Sequence, residues 1–188
     1  MVSHQLKIQC LKLVYNMRIG LTGTMSVGKT TLVKALAELP KFKDYYITTE
    51  RSKYLRDLGI PLNTDSSVHG QFVFMAERAQ ELMHDNLLTD RTIWDVCAFT
   101  MSAKSIKWEQ KHSLIKAATT LMSYYDIIFY VSPEGVPIED NGIRTTDEGY
   151  RDKIDFTIRE LLEEYKPNKL IEIKGNTEER ITEILKYL

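Results

Sequence analysis

Gly23-Thr24-Met25-Ser26-Val27-Gly28-Lys29-Thr30-Thr31 is the stretch on which the reading of the whole chain turns. It satisfies the phosphate-binding loop pattern G-x-x-x-x-G-K-[ST] at every fixed position. Glycine has no Cβ, so Gly23 and Gly28 let the backbone turn with positive φ and aim amide N–H groups at phosphate oxygens. Lys29 can then reach the β- and γ-phosphates, and the Thr30 hydroxyl can ligate Mg²⁺. Thr24, Met25, Ser26, Val27 and Thr31 complete the cradle. The flanks agree with the loop. Met17-Arg18-Ile19-Gly20-Leu21-Thr22 reads as a short buried strand, and Leu32, Ala35, Leu36 and Leu39 recur with the period of an amphipathic helix. The positive end of that helix adds to an anion site. A chance glycine-rich turn would not come with a strand before it and a helix after it. The expected ligand is a nucleoside triphosphate.

The chain has 188 residues, a length suited to one domain with a sizeable core. With 43% hydrophobic and 27% charged residues, and only 9 Gly and 5 Pro, it is neither disordered nor linker-rich. No run approaches the 18 or so apolar residues of a membrane span, so no membrane partner is expected. A net charge of −1 gives no global basic field for nucleic acid. Cys10 and Cys97 form neither a disulfide framework nor a metal-ligand spacing, and read as small thiols in a reducing cytoplasm. His4, His69, His84 and His112 show no metal spacing either. Residues 1–16 lack a signal-peptide pattern and are expected to be an extension dispensable for the chemistry.

Downstream of the loop, Tyr45-Tyr46-Ile47-Thr48-Thr49-Glu50 is a β-rich run closing on an acid. Phe72, Met75, Ala76, Ala79 and Met83 fall at helical spacing and read as core. Asn86-Leu87-Leu88-Thr89-Asp90-Arg91 is a short strand ending in Asp-Arg, followed by helices over 92–102 and Lys104 to Met122. Ile127-Ile128-Phe129-Tyr130-Val131 is the clearest buried strand. After a charged loop comes a helix through Ile154, Ile158, Leu161, Leu162 and Tyr165, then the strand Leu170-Ile171-Glu172-Ile173. Asn176 and Glu179 form a capping box for a final helix. Strands alternating with helices in the order β-α-β-α-β-α-β-α-β-α argue for an α/β fold, a parallel sheet covered on both faces. Residues 17–188 are expected to be a single domain, with a lid loop around 134–150.

Ligands bind outside the carboxyl ends of the strands in such sheets. Gly23, Glu50 and Asp90 each close a predicted strand and should converge on the phosphates, whereas Asp126 precedes its strand and belongs at the opposite edge. Asp90 could hold Mg²⁺ or accept the proton of an attacking hydroxyl, and Glu50 could serve as the base or as a hydroxyl-binding group. Arg91 could clamp the acceptor or steady the phosphoryl charge, with Asp95 either orienting it or touching substrate. Asn141-Gly142 marks a turn in the loop, and Arg144 and Arg151 either close on the transferred group or pair with Glu139, Asp140, Asp147 and Glu148. Lys104, Lys107 and Lys111, with Trp108 among them, make a modest basic stripe.

The phosphate loop, Thr49-Glu50-Arg51, Thr89-Asp90-Arg91 with Asp95, and Gly142-Ile143-Arg144 through Tyr150-Arg151 together resemble the P-loop nucleoside and nucleotide kinases. The closest likeness is to the branch related to ribosylnicotinamide kinase and the small AAA-like kinase domains, over residues 17–188. The resemblance implies a three-layer P-loop NTPase fold with a five-stranded parallel sheet. It also implies ATP with Mg²⁺, and transfer of the γ-phosphoryl group to a hydroxyl or a phosphate. Three functions compete. The first is a cytoplasmic kinase acting on a nucleoside, nucleotide or related small hydroxyl compound. The second is a phage-type kinase acting on a hydroxymethyl-pyrimidine base in DNA, a less favoured partner because only the Lys104–Lys111 stripe would hold the duplex. The third is a P-loop ATPase or regulatory nucleotide switch, which leaves the arginine-bearing loop unexplained.

Overall fold

The computed structural model describes residues 16–49, 51–136 and 148–188. Five parallel strands, β1 (Arg18–Thr22), β2 (Tyr46–Thr48), β3 (Leu87–Asp90), β4 (Ile127–Val131) and β5 (Leu170–Ile173), pair in the order β2-β3-β1-β4-β5. Their connections carry α1 (Lys29–Ala37), α2 (Ser52–Asp57), α3 (Val68–Glu81), α4 (Ile93–Ser102), α5 (Trp108–Met122) and α6 (Glu148–Glu164), and α7 (Thr177–Leu185) follows β5.

Both sheet faces are buried, because successive strand residues point to opposite sides and both sides are apolar. In β4, Ile128 and Tyr130 join Trp94, Ala118, Tyr125, Ile154 and Ile158 on the face covered by α4, α5 and α6. Ile127, Phe129 and Val131 join Leu32, Leu36 and Ile184 on the face covered by α1 and α7. Gly20 keeps the first face flat: a Cβ there would lie 2.6 Å from Thr92 Cγ2 and 2.8 Å from Ile128 Cδ1. The final helix opens with the capping box read from the sequence, Glu179 N donating to Asn176 Oδ1 at 3.0 Å and Asn176 N to Glu179 Oε2 at 2.8 Å.

Several elements depart from the sequence reading. The β2–β3 connection holds two helices, α2 and α3, where the sequence suggested one, while the two helices read between β3 and β4 are both present as α4 and α5. The helix expected from Lys104 begins at Trp108, because Lys104 N is taken by the Thr64 carbonyl at 2.8 Å and Lys107 is extended. In α3 the buried face is Gly70, Gln71, Arg78 and Glu81. Phe72 is 49% exposed, and Met83, just beyond the helix, is 65% exposed, so neither is core. A polar stripe was buried in preference to an apolar one because it abuts the end of β3, where its side chains find hydrogen-bond partners.

β1 ends against β4 so closely that a Cβ on Gly23 would lie 2.6 Å from the Val131 carbonyl oxygen, at a φ of +145°. Gly23→Ala is therefore expected to lower stability by roughly 2–6 kcal/mol, the sum of backbone strain and overpacking. A denaturant melt checks this, and a loss below about 1 kcal/mol would be at odds with so close an approach.

Candidate active site

The loop after β1 forms a polar cup of about 160 Å³ lined by Ser26, Val27, Gly28, Lys29, Thr30, Thr31, Asp90, Arg91 and Val136. Ser26 and Gly28 adopt left-handed φ values of +59° and +83°. Helix α1 starts at Lys29, so the amides of its first turn lack intrahelical acceptors and remain available to an anion. Lys29 is buried, its Nζ donating to the Gly23 and Thr24 carbonyls at 2.7 Å each.

Asp90 reaches this cup through sheet register: it pairs with Leu21, two residues before Gly23. The Thr30 hydroxyl donates to Asp90 Oδ2. Asp90 Oδ1 and Ser26 Oγ are both buried without a hydrogen-bond partner. An orphaned carboxylate oxygen beside a threonine hydroxyl suits a hard divalent cation. Among the described residues no group of three His, Cys, Asp or Glu could hold a metal, so phosphate oxygens and water would have to complete its shell. The donor set therefore fits Mg²⁺ held by Thr30 and Asp90 together with a polyphosphate. Asp126 lies at the other rim of the sheet, its Oδ2 accepting from the Arg18 amide at 2.7 Å at the start of β1.

Arg91 follows Asp90 with a φ of +85°, a conformation costing a non-glycine residue on the order of 1 kcal/mol. Its amide donates to the Leu21 carbonyl at 3.0 Å. The guanidinium lies 3.7 Å from Asp95 Oδ1 and 4.8 Å from the Phe99 ring centroid. Asp95 serves two ends at once. Its Oδ2 accepts from the Thr22 hydroxyl at 2.8 Å and the Thr92 amide at 2.8 Å, capping α4, while Oδ1 faces Arg91.

Arg91 also walls a second cavity, shared with Met25, Ser52, Leu62, Asn63, Ser66, Gln71, Phe74, Asp95, Val96 and Phe99. It is mostly apolar, with the Gln71 carboxamide as a buried polar group whose Oε1 accepts from Thr100 Oγ1 at 3.3 Å. Such a cleft, apolar with a few convergent polar groups, is the usual form of a small-molecule site. Sequence reasoning missed this wall by reading the 72–83 helix as core. The available signal was Gln71, a carboxamide one turn ahead of Met75.

Behind the site, Arg78 NH1 donates to the Asp90 carbonyl at 3.4 Å while its other nitrogen donates to Glu81 Oε1. Glu81 Oε2 accepts from Thr89 Oγ1 at 2.9 Å, and Thr89 Oγ1 accepts from Thr48 Oγ1 at 2.8 Å. Burial raises the Glu81 carboxyl above its ordinary pKa, against the pull of Arg78 and its hydrogen bonds. Cys97 is no nucleophile, since burial, helped by Asp95, pushes its thiol up to about 12.

Glu50 and Arg144 lie outside the described residues, as does the loop over 137–147. Arg151, expected either to close on the transferred group or to pair with nearby acids, is described near the start of α6. Its guanidinium donates to the Val136 carbonyl at 2.8 Å and the Pro133 carbonyl at 3.4 Å, and its own carbonyl accepts from Thr24 Oγ1 at 2.9 Å. In the basic stripe, Lys111 Nζ is likewise committed to the Met101 carbonyl at 2.7 Å.

Residues 18–180 match the AAA domain family. The chain belongs to that family. Among solved structures, it is similar to deoxyadenosine kinase from M. mycoides, described with the products dCMP and dCDP, at 16% identity and a TM-score of 0.64, covering 91% of this chain and 97% of that one. It is also similar to thymidylate kinase from Ehrlichia chaffeensis, at 17% identity and a TM-score of 0.60, covering 91% and 97%. Thymidylate kinase from Candida albicans matches at 16% identity and a TM-score of 0.64, covering 92% and 91%. No curated protein sequence matches. This member of the AAA domain family thus has the P-loop nucleoside and nucleotide kinase fold, with its five-stranded parallel sheet. Among its described residues no helix is long and apolar enough to cross a membrane.

Asp90→Asn is expected to reduce the Mg²⁺-dependent gain in triphosphate affinity about tenfold while metal-free affinity holds or rises, because one anionic ligand is lost. Calorimetry with and without Mg²⁺ reads this directly. An unchanged Mg²⁺ dependence would remove Asp90 from the metal site.

Proposed function

We propose that this chain is an ATP-dependent kinase that transfers the γ-phosphoryl group to a nucleoside, nucleotide or related small hydroxyl compound. The observation that carries the reading is the pair of adjoining cavities, one polar and built of amides, one apolar with a buried carboxamide, both walled by Arg91. A nucleotide switch or simple ATPase has no use for the second. The solved neighbours, deoxyadenosine and thymidylate kinases, support a small nucleoside-type acceptor. The finer assignment to the ribosylnicotinamide-kinase-like branch rests on the motif residues Thr49-Glu50-Arg51 and Asp90-Arg91.

On this reading the loop amides and Lys29 bind the β- and γ-phosphates, and Thr30 and Asp90 hold Mg²⁺. Mg²⁺, when bound, neutralises charge on the phosphate oxygens. The acceptor lies between Phe74, Phe99 and Gln71, its hydroxyl turned toward the cup. That oxygen bonds to the γ-phosphorus as the bond to the β-phosphate oxygen breaks, and Asp90 or Glu50 takes the hydroxyl proton. Arg91 steadies the transferred charge, with Arg144 entering from the loop that serves as a lid. Arg151 holds the stem of that lid. Positioning and electrostatics supply the catalysis, since phosphoryl transfer asks little covalent chemistry of the protein. The alternative of a hydroxymethyl-pyrimidine base in DNA draws on the Lys104–Lys111 stripe, part of which is already engaged by Met101.

The test is a screen of labelled-ATP transfer against nucleosides, nucleoside monophosphates, ribosylnicotinamide and hydroxymethylated DNA. Transfer to a small acceptor is expected. Transfer to DNA alone would select the alternative, and hydrolysis indifferent to every acceptor would refute the kinase reading. In the same assay Asp90→Asn is expected to lower kcat by about 10²- to 10³-fold. Gln71→Leu should raise acceptor KM about tenfold, the worth of one buried hydrogen bond, with ATP KM unchanged. Equal rises in both KM values would take Gln71 out of the acceptor pocket.

A further inference from the structure

The last helix sends one side chain under the phosphate cup. Arg180, on α7, is 4% exposed. Its NH1 donates to the Val27 carbonyl at 2.6 Å and its NH2 to the Ser132 carbonyl at 3.4 Å. The same NH1 lies 3.4 Å from where a Cβ on Gly28 would stand, so the guanidinium is pressed against the outside of the loop's tightest turn. Among the described residues no carboxylate pairs with it: Glu179 caps its own helix through Asn176, and Glu183 is bonded to Lys186. Burial lowers its pKa from the usual arginine value, yet guanidinium stays charged in proteins. A buried cation that touches only carbonyls is costly unless an anion is near.

The Val27 carbonyl and the Gly28 N–H belong to one planar trans peptide unit and point in opposite directions. Holding the carbonyl outward on Arg180 therefore aims the Gly28 N–H inward, into the cup lined by Lys29, Thr30 and Asp90. The bond also polarises that peptide, which strengthens its N–H as a donor.

We propose that Arg180 is a positioning residue for the triphosphate: it fixes the Val27–Gly28 peptide with its N–H facing the phosphates and supplies positive charge behind the cup. The proposal rests on the reading of Gly23–Thr31 as a triphosphate site, and extends that site to the carboxyl-terminal helix. Arg180 lines neither the phosphate cup nor the acceptor cavity.

Calorimetric titration of ATP, and of inorganic tripolyphosphate, into the full chain and its Arg180→Met and Arg180→Lys variants tests this. Arg180→Met is expected to raise Kd for both ligands at least about tenfold, the scale of a lost charge-assisted bond. Arg180→Lys, which keeps the charge but can grasp only part of the pair of carbonyls, should recover most of that loss. Acceptor KM should not move. Binding by Arg180→Met within about twofold of the parent would overturn the proposal. So would equal losses in Arg180→Met and Arg180→Lys, the mark of a packing role alone. Should Arg180→Met fail to fold, the ¹⁵N guanidinium signals of Arg180 in the parent protein decide. They must shift on adding tripolyphosphate, and signals that stay still overturn the inference. A parent protein that binds neither ligand refutes the triphosphate site itself and Arg180's role with it, a result distinct from a tight-binding Arg180→Met.

Discussion

The central strand β1 is held in register between β3 and β4, and that constraint determines where everything else at the site can lie. Pairing of Leu21 with Asp90 sets the carboxylate beside the exit of β1. Pairing of Thr22 with Tyr130 brings the exit of β4 so near that only glycine passes Val131. The chain must then turn back over the sheet edge into α1, and the turn leaves amides facing the space that Asp90 borders. Parallel strands with all carboxyl ends on one rim produce this convergence without any special device.

Around the turn the protein buries an uncommon number of cations: Lys29, Arg78, Arg151 and Arg180 are each no more than 8% exposed. Arg78 has Glu81 against it. Lys29, Arg151 and Arg180 donate to main-chain carbonyls of the loop or of the segment leaving β4. Charged groups are rarely buried unless paired, so on the proposed reading the guanidinium of Arg180, which donates only to carbonyls among the described residues, favours negative charge in the cup. The contacts also tie α6 and α7 to the phosphate loop, through Thr24 with Arg151 and Val27 with Arg180. On the proposed reading, nucleotide occupancy would be felt by both helices.

Legibility in the sequence followed the range of the interactions. The strand, loop and helix around Gly23–Thr31 were readable because the motif, the two glycines and the apolar period are all local. So was the capping box at Asn176 and Glu179, a pattern spanning one turn. The placing of Asp90 at the working rim and Asp126 at the other needed only the rule that ligands gather at strand carboxyl ends. What the sequence hid was long-range. Phe72 and Met83 are exposed while Gln71, Arg78 and Glu81 are buried, because which face of α3 turns inward depends on β3 and on partners such as Thr89 and the Asp90 carbonyl. Arg180 bonds to a carbonyl 153 residues away, and no spacing or periodicity announces such a contact.

The most direct test of the central claim is an amide spectrum of the ¹⁵N-labelled protein titrated with ATP and Mg²⁺. If the loop amides hold the phosphates, the N–H signals of Gly28, Lys29, Thr30 and Thr31 should move downfield together and saturate with the binding curve, with Asp90 responding at the same concentration. Signals that stay in place at these residues while others shift elsewhere would contradict a phosphate cup at the end of β1.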